Sequence, residues 1–167
     1  MQYLFDANVL ITASNLYYPL DAVPEFWAWI NHQATGGRIK LPVEVLEEVL
    51  AGSKKEDPLL NFMTTRKDVL LLKEKVDPAL VNKVVIEGYA TDLTDDELIE
   101  IGQDPFLIAY ALAKPAERCV VTVEVSSPAK KRQNRKIPDV CSTFGVNCQN
   151  PFQVYRSLGF STAWKKA

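Results

Sequence analysis

The sequence predicts an α/β fold, a sandwich around a mainly parallel central sheet. Three observations lead there. Two short apolar strand candidates, Tyr3–Phe5 and Cys119–Val123, are separated by long helical patterns. Helix starts of one type recur at Asp57-Pro58, Asp77-Pro78, Asp104-Pro105 and Asn150-Pro151. The length of 167 residues and an apolar fraction of 47% suit one domain, residues 1–167, with a sizeable core.

Taken in order, Tyr3-Leu4-Phe5 suits a strand buried on both faces, closed by Asp6 and the turn Ala7-Asn8. Val9 to Ala13 is a short helix or extended turn. Pro24 opens a helix to about Thr35 with Phe26, Trp27 and Ile30 on its apolar face, and Gly36-Gly37 ends it. Arg38–Leu41 reads as a strand. Pro42 opens a helix over Val43–Ala51, which Gly52 stops. The helix after Asp57-Pro58 turns Leu59, Leu60, Phe62 and Met63 inward, and Val69–Leu72 reads as a short strand. Asp77-Pro78 starts a helix to about Tyr89, interrupted near Gly88. Asp92 to Asp104 is acidic with no base, and Phe106–Ala113 is helical. After Cys119–Val123 comes a loop, Ser126–Lys136, that is basic with no acid. Pro138 opens a helix ended by Gly145. Val146–Cys148 is a last strand, and a final helix runs from Asn150-Pro151 to Leu158.

Composition narrows the chemistry. Net charge is −2, so a polyanion site must be a local patch. No apolar run approaches the ~18 residues of a membrane span. The N-terminus lacks a signal-type basic and apolar region, and the cysteines Cys119, Cys141 and Cys148 form no CxxC pair. Reduced thiols and a cytoplasmic location are expected. His32, the one histidine, lies in a helical pattern on a helix surface, which makes a Ser-His-Asp triad or a His-rich zinc site hard to build. Phosphate loops of the GxGxxG or GxxxxGK[ST] type are absent.

Acids at strand ends carry the functional reading. If the first and the Cys119–Val123 strands are parallel neighbours, Asp6 and Glu124 share the crevice at their carboxyl ends. Carboxylates in one cleft repel unless a cation lies between them, and oxygen ligands without His or Cys select Mg²⁺ or Mn²⁺. Such ions serve phosphoryl chemistry. Glu44 and Glu48 share one face of their helix, whereas Glu47 points elsewhere; an exposed acidic face is the plain alternative. Asp104 is either a ligand or a helix cap like Asp57 and Asp77. Lys130, Lys131, Arg132, Arg135 and Lys136 either hold phosphates beside the cleft or form a solvated loop.

With these residues laid out, the chain resembles the PIN-domain ribonucleases. The matching pieces are Leu4-Phe5-Asp6-Ala7-Asn8-Val9-Leu10-Ile11, Pro42-Val43-Glu44-Val45-Leu46-Glu47-Glu48-Val49, Gln103-Asp104-Pro105-Phe106-Leu107-Ile108-Ala109-Tyr110-Ala111 and Val120-Val121-Thr122-Val123-Glu124. They follow the family's order across nearly the whole chain. The ending Lys136-Ile137-Pro138-Asp139-Val140-Cys141 with Phe144-Gly145-Val146 is similar to an uncharacterised bacterial subfamily related to VapC-type toxins.

The resemblance implies a PIN-like three-layer α/β/α sandwich and a Mg²⁺- or Mn²⁺-dependent endoribonuclease, the toxin of a type II toxin–antitoxin pair. It places catalytic, metal-binding acids at Asp6, Glu48, Asp104 and Glu124, with Asn8 and Thr122 in support. Glu48 is preferred to Glu47 because Val45 and Val49 fill the family's flanking apolar positions. Glu124 departs from the commoner Asp, leaving direct and water-mediated binding both open. Asp139 is a second choice. RNA is the implied substrate, an antitoxin from an adjacent gene the implied partner, and a homodimer is compatible. The competing function is a PIN-fold RNA- or protein-binding module with a weakened site. A phosphatase of the haloacid dehalogenase type ranks last, because its Asp-x-Asp would need an acid where Asn8 stands.

Overall fold

A computed structural model describes residues 1–52 and 56–166. Strand β1 (Gln2–Phe5) leads into helix α1 (Ala7–Thr12), which widens into a π-helical turn over Ala13–Tyr17. Helix α2 (Pro24–Thr35), β2 (Ile39–Lys40) and α3 (Val43–Gly52) follow. Next come α4 (Pro58–Thr65), α5 (Lys67–Leu70) and α6 (Pro78–Lys83), the last continuing as a π-helical turn, Val84–Tyr89. The chain then forms α7 (Asp95–Ile101), α8 (Asp104–Leu112) and β3 (Arg118–Val121). It ends with α9 (Ile137–Thr143), β4 (Asn147–Gln149) and α10 (Pro151–Ser157).

The sheet has four strands in the order β2-β1-β3-β4, every pairing parallel. Parallel pairs need long crossovers, and helices supply them. Successive strand residues face opposite sides, yet Tyr3, Leu4 and Phe5 and all of β3 are buried. Helices therefore cover both faces, giving a three-layer α/β/α-like arrangement. On α2, Phe26, Trp27, Trp29 and Ile30 are buried, as its apolar face requires. Phe26 stacks on Tyr18 at 4.2 Å between ring centroids and meets Tyr155 edge-on at 5.1 Å. No described helix is long and apolar enough to cross a membrane.

Two expectations change, and one stretch left without an element gains one. Val69–Leu72 is not a strand: Lys67–Leu70 is a helical turn, and only Leu71 bridges to Leu41. The apolar run there is filled by a turn of helix whose Leu70 enters the core, an ambiguity that short apolar runs carry. The strand expected over Cys119–Val123 runs from Arg118 to Val121, so Glu124 stands in the loop beyond it rather than at its end. The acidic stretch from Asp92 holds a helix, α7, opened by a capping box between Thr94 and Glu97. Ala167 lies outside the described residues.

Candidate functional site

The chain crosses from β1 to β2 on one side and returns to β3 on the other. The carboxyl ends of β1 and β3 therefore flank the sheet's switch point, where such sheets open a crevice. The register aligns Phe5 with Val121, and the next residues out are Asp6 and Thr122. Asp6 is 4% exposed, and its Oδ2 accepts a hydrogen bond from the Thr122 hydroxyl at 2.9 Å. The same hydroxyl accepts from the Glu124 amide at 3.1 Å. Thr122 thus fixes the buried carboxylate and the loop that follows. Burial pushes the Asp6 carboxyl up to about 6; Thr122 opposes that shift, while the charges of Glu48 and Glu124 add to it.

Asp104 begins α8. The preceding Gly102 takes φ 51°, a left-handed backbone that favours glycine, and delivers the chain to the helix through Gln103. The Asp104 side chain caps nothing. Burial pushes its carboxyl up to about 8, and Asp6, Glu124 and Glu48 add to the shift against a small opposing pull from Lys136. Glu48 on α3 is solvent-exposed in part, yet desolvation still raises its pKa. Its charge acts on both Asp6 and Asp104. Elements far apart in sequence thus bring Asp6, Glu48, Asp104 and Glu124 into one electrostatic neighbourhood.

That neighbourhood is not a closed metal cage. Among the described residues no three His, Cys, Asp or Glu side chains stand where they could hold a metal ion together. Glu124 shows one reason. Its Oε1 accepts from Lys136 Nζ and its Oε2 from the Ile137 amide, both at 2.8 Å. Hard carboxylate oxygens with uncompensated charge fit Mg²⁺ or Mn²⁺ in chemistry, while the arrangement as it stands fits them only in part.

The basic loop divides. Lys130 and Lys131 are exposed. Arg132 grips Glu97 through Nε and Nη2 at 2.7 Å each, and Asp92 through Nη1 at 2.7 Å. This fork holds Arg132 at φ 55°, unusual for a side-chain-bearing residue, and keeps Glu97 down at about 2. Arg135 donates to the carbonyls of Gly88 and Asp139 and to the Thr143 hydroxyl. Lys136 is committed to Glu124. Asp139 faces the loop rather than the cleft, accepting from the Ser126 hydroxyl and, at 2.7 Å, from the Ser127 amide. Asn8 is exposed just past Asp6, and its amide lowers the Asp6 pKa.

Tyr89 was not singled out from the sequence, where it has no distinguishing signal. It is 7% exposed, and its hydroxyl has no hydrogen-bond partner among the described residues. Burial and the charges of Asp104 and Glu124 push its phenol well above the usual tyrosine range.

These features define an α/β protein whose acidic residues Asp6, Glu48, Asp104 and Glu124 act on one another near the switch point of its parallel sheet. The chain belongs to the family described as a domain of unknown function, DUF4411, whose model matches residues 3–162. No curated protein and no solved structure matches it.

Proposed function

We propose that the carboxylate crevice is the working site of a PIN-like module acting on RNA. The observation that carries this reading is the convergence of Asp6, Glu48, Asp104 and Glu124, with two of them pushed up by burial and mutual repulsion. Such charge is relieved by a cation, and Mg²⁺ or Mn²⁺ suits these oxygens. Asp6, Asp104 and Glu48 would hold it, and Glu124 would join on leaving Lys136. A bound ion would activate water and stabilise charge on a phosphodiester. The chain's own part is otherwise clear. Thr122 orients Asp6, Asp104 holds a proton near neutral pH that a cation must displace, and exposed Lys130 and Lys131 are free to meet phosphates. In this form the protein is a metal-dependent endoribonuclease. Its role as a toxin with an antitoxin partner rests on the PIN resemblance alone.

The second form is an RNA- or protein-binding module with a weakened site. The Lys136–Glu124 ion pair and the absence of a three-acid group among the described residues favour it, because it requires no rearrangement. One experiment separates the two. Mn²⁺ titration by calorimetry is followed by incubation with structured RNA, for the parent and for Asp6→Asn. Metal uptake and cleavage by the parent, both lost in Asp6→Asn, establish the nuclease. RNA binding with neither uptake nor cleavage establishes the module.

A further inference from the structure

We propose that the groove between α2 and α4 binds a nucleotide, its base held among aromatic rings and asparagine amides and its phosphate at Arg66 and Lys165. This goes beyond the reading of Asp6, Glu48, Asp104 and Glu124, none of which lines the groove. The cavity encloses about 720 Å³, within the roughly 300–1,000 Å³ of small-molecule sites. Such sites combine ring-bearing walls with a few polar groups that fix the ligand.

The walls are set before any ligand arrives. Trp27 on α2 donates through Nε1 to the Tyr18 carbonyl at 2.7 Å, and Phe62 on α4 meets it edge-on at 5.0 Å between ring centroids. Trp164, in the short 3₁₀ turn Trp164–Lys166, donates to the Glu25 carbonyl at 3.0 Å and lies against His32 at 5.0 Å. All four rings line the groove. Rings already held lose little freedom on binding, and a planar ligand ring suits them.

The two helices offer the same polar pair. Thr35 donates to the Asn31 carbonyl on α2, and Thr65 to the Asn61 carbonyl on α4, both at 2.8 Å. The threonine hydroxyls are thereby committed as donors. The side-chain amides of Asn31 and Asn61 line the groove without a partner among the described residues. Each carries two donors and an acceptor, the pattern that matches a nucleobase edge.

Charge selects the other end of the ligand. Arg66 and Lys165 line the groove, and among the described residues no Asp or Glu does, in a chain of net charge −2. Lys165 Nζ stays 5.5 Å from the Trp164 ring centroid, beside the aromatic wall. Cations next to stacked rings fit a phosphate joined to a planar base. A free nucleotide and the end of an RNA strand share that chemistry.

Calorimetry in EDTA tests this with the four ribonucleoside 5′-monophosphates, their nucleosides and inorganic phosphate. At least one monophosphate should bind with a Kd below about 1 mM. Its nucleoside and phosphate should each bind at least roughly tenfold more weakly, since each keeps only one half of the contacts. Arg66 and Lys165 are exposed, so Arg66→Gln with Lys165→Gln should melt as the parent does. That double variant should bind the monophosphate roughly tenfold or more weakly, and Asn61→Ala several-fold more weakly. A 5′-phosphorylated oligoribonucleotide that binds more tightly than any monophosphate, with the same loss in the double variant, identifies a strand end as the ligand. Equal or weaker binding identifies the free nucleotide. The proposal is overturned if no monophosphate saturates, if the double variant binds as the parent does, or if inorganic phosphate binds as tightly as the monophosphate. Because EDTA removes divalent cations, none of these outcomes depends on the metal-binding reading of the acids.

Discussion

Asp57 and Asp77 stand just outside α4 and α6 in extended backbone, and each accepts the amide two residues on, at 2.8 and 2.9 Å. Asn150 does the same for α10 through the Gln153 amide at 3.0 Å. Asp104 precedes a proline in the same way, yet it lies inside its helix and caps nothing. The difference comes from what precedes it. Gly102 in its left-handed conformation and Gln103 start the turn one residue earlier, which leaves the Asp104 carboxylate without a capping role and under the influence of Asp6, Glu124 and Glu48. One dipeptide thus has two uses. Where the carboxylate meets amides it stabilises a helix, and where it is buried beside other carboxylates it resists ionisation.

The sharpest way to break this comparison is to make the same change at both kinds of site. Asn caps a helix about as well as Asp but carries no charge. Asp57→Asn should leave Mn²⁺ affinity and any RNA cleavage as in the parent. Asp104→Asn should lose both, by more than the roughly 10–100-fold that removing a supporting residue costs a metal site. Calorimetry and a cleavage assay on the two variants side by side decide it. Parent-like behaviour in Asp104→Asn would make Asp104 an idle acid.

A smaller effect follows from protons. The native carboxyls are pushed up to about 6 at Asp6 and about 8 at Asp104, above their ordinary value of 3.8. Between those values the native state binds more protons than the unfolded chain, so its stability falls as pH rises. The metal-free melting temperature should therefore drop from about pH 4 to about pH 8 and then level. Asp104→Asn should flatten the upper part of that slope and keep the lower part, which belongs to Asp6. Calorimetric scans across this range check it, and a rising melting temperature between neutral and pH 8 would contradict the buried-charge account.

The smallest effect belongs to the caps. Asp57→Ala should cost about 1 kcal/mol, a few degrees of melting temperature, with Mn²⁺ affinity unchanged. A change in metal affinity would link α4 to the crevice and blur the distinction.

Much of this was legible in sequence. The strand Tyr3–Phe5, the helix from Pro24 to Thr35 and a mainly parallel sheet were readable from period and punctuation, whereas the pairing of the first strand with the Cys119–Val123 strand was a condition that set Glu124 beside Asp6, and the register puts Thr122 level with Asp6. The placement of Asp104 was not, since a local pattern cannot tell on which side of a helix start its acid falls. Glu124 was approached but not fixed: its partners are Lys136, at the end of a loop read as either phosphate-holding or solvated, and Ile137, the first residue of α9. The charge pattern held an unused signal there. An acidic stretch without bases and a basic loop without acids satisfy each other, Arg132 closing on Asp92 and Glu97. Tyr89 gave no sign, because burial without a partner exists only once the fold is formed.

The bond between Thr122 and Asp6 joins residues separated by 116 positions. During synthesis Asp6 emerges first and waits through most of translation before β3 can pair with β1. Contacts so distant form late in folding, after the entropy of closing a long loop has been met. The crevice is therefore a property of the finished chain. A polypeptide abandoned before Thr122 carries Asp6 without its anchor, and an interrupted ribosome releases a fragment with no assembled site.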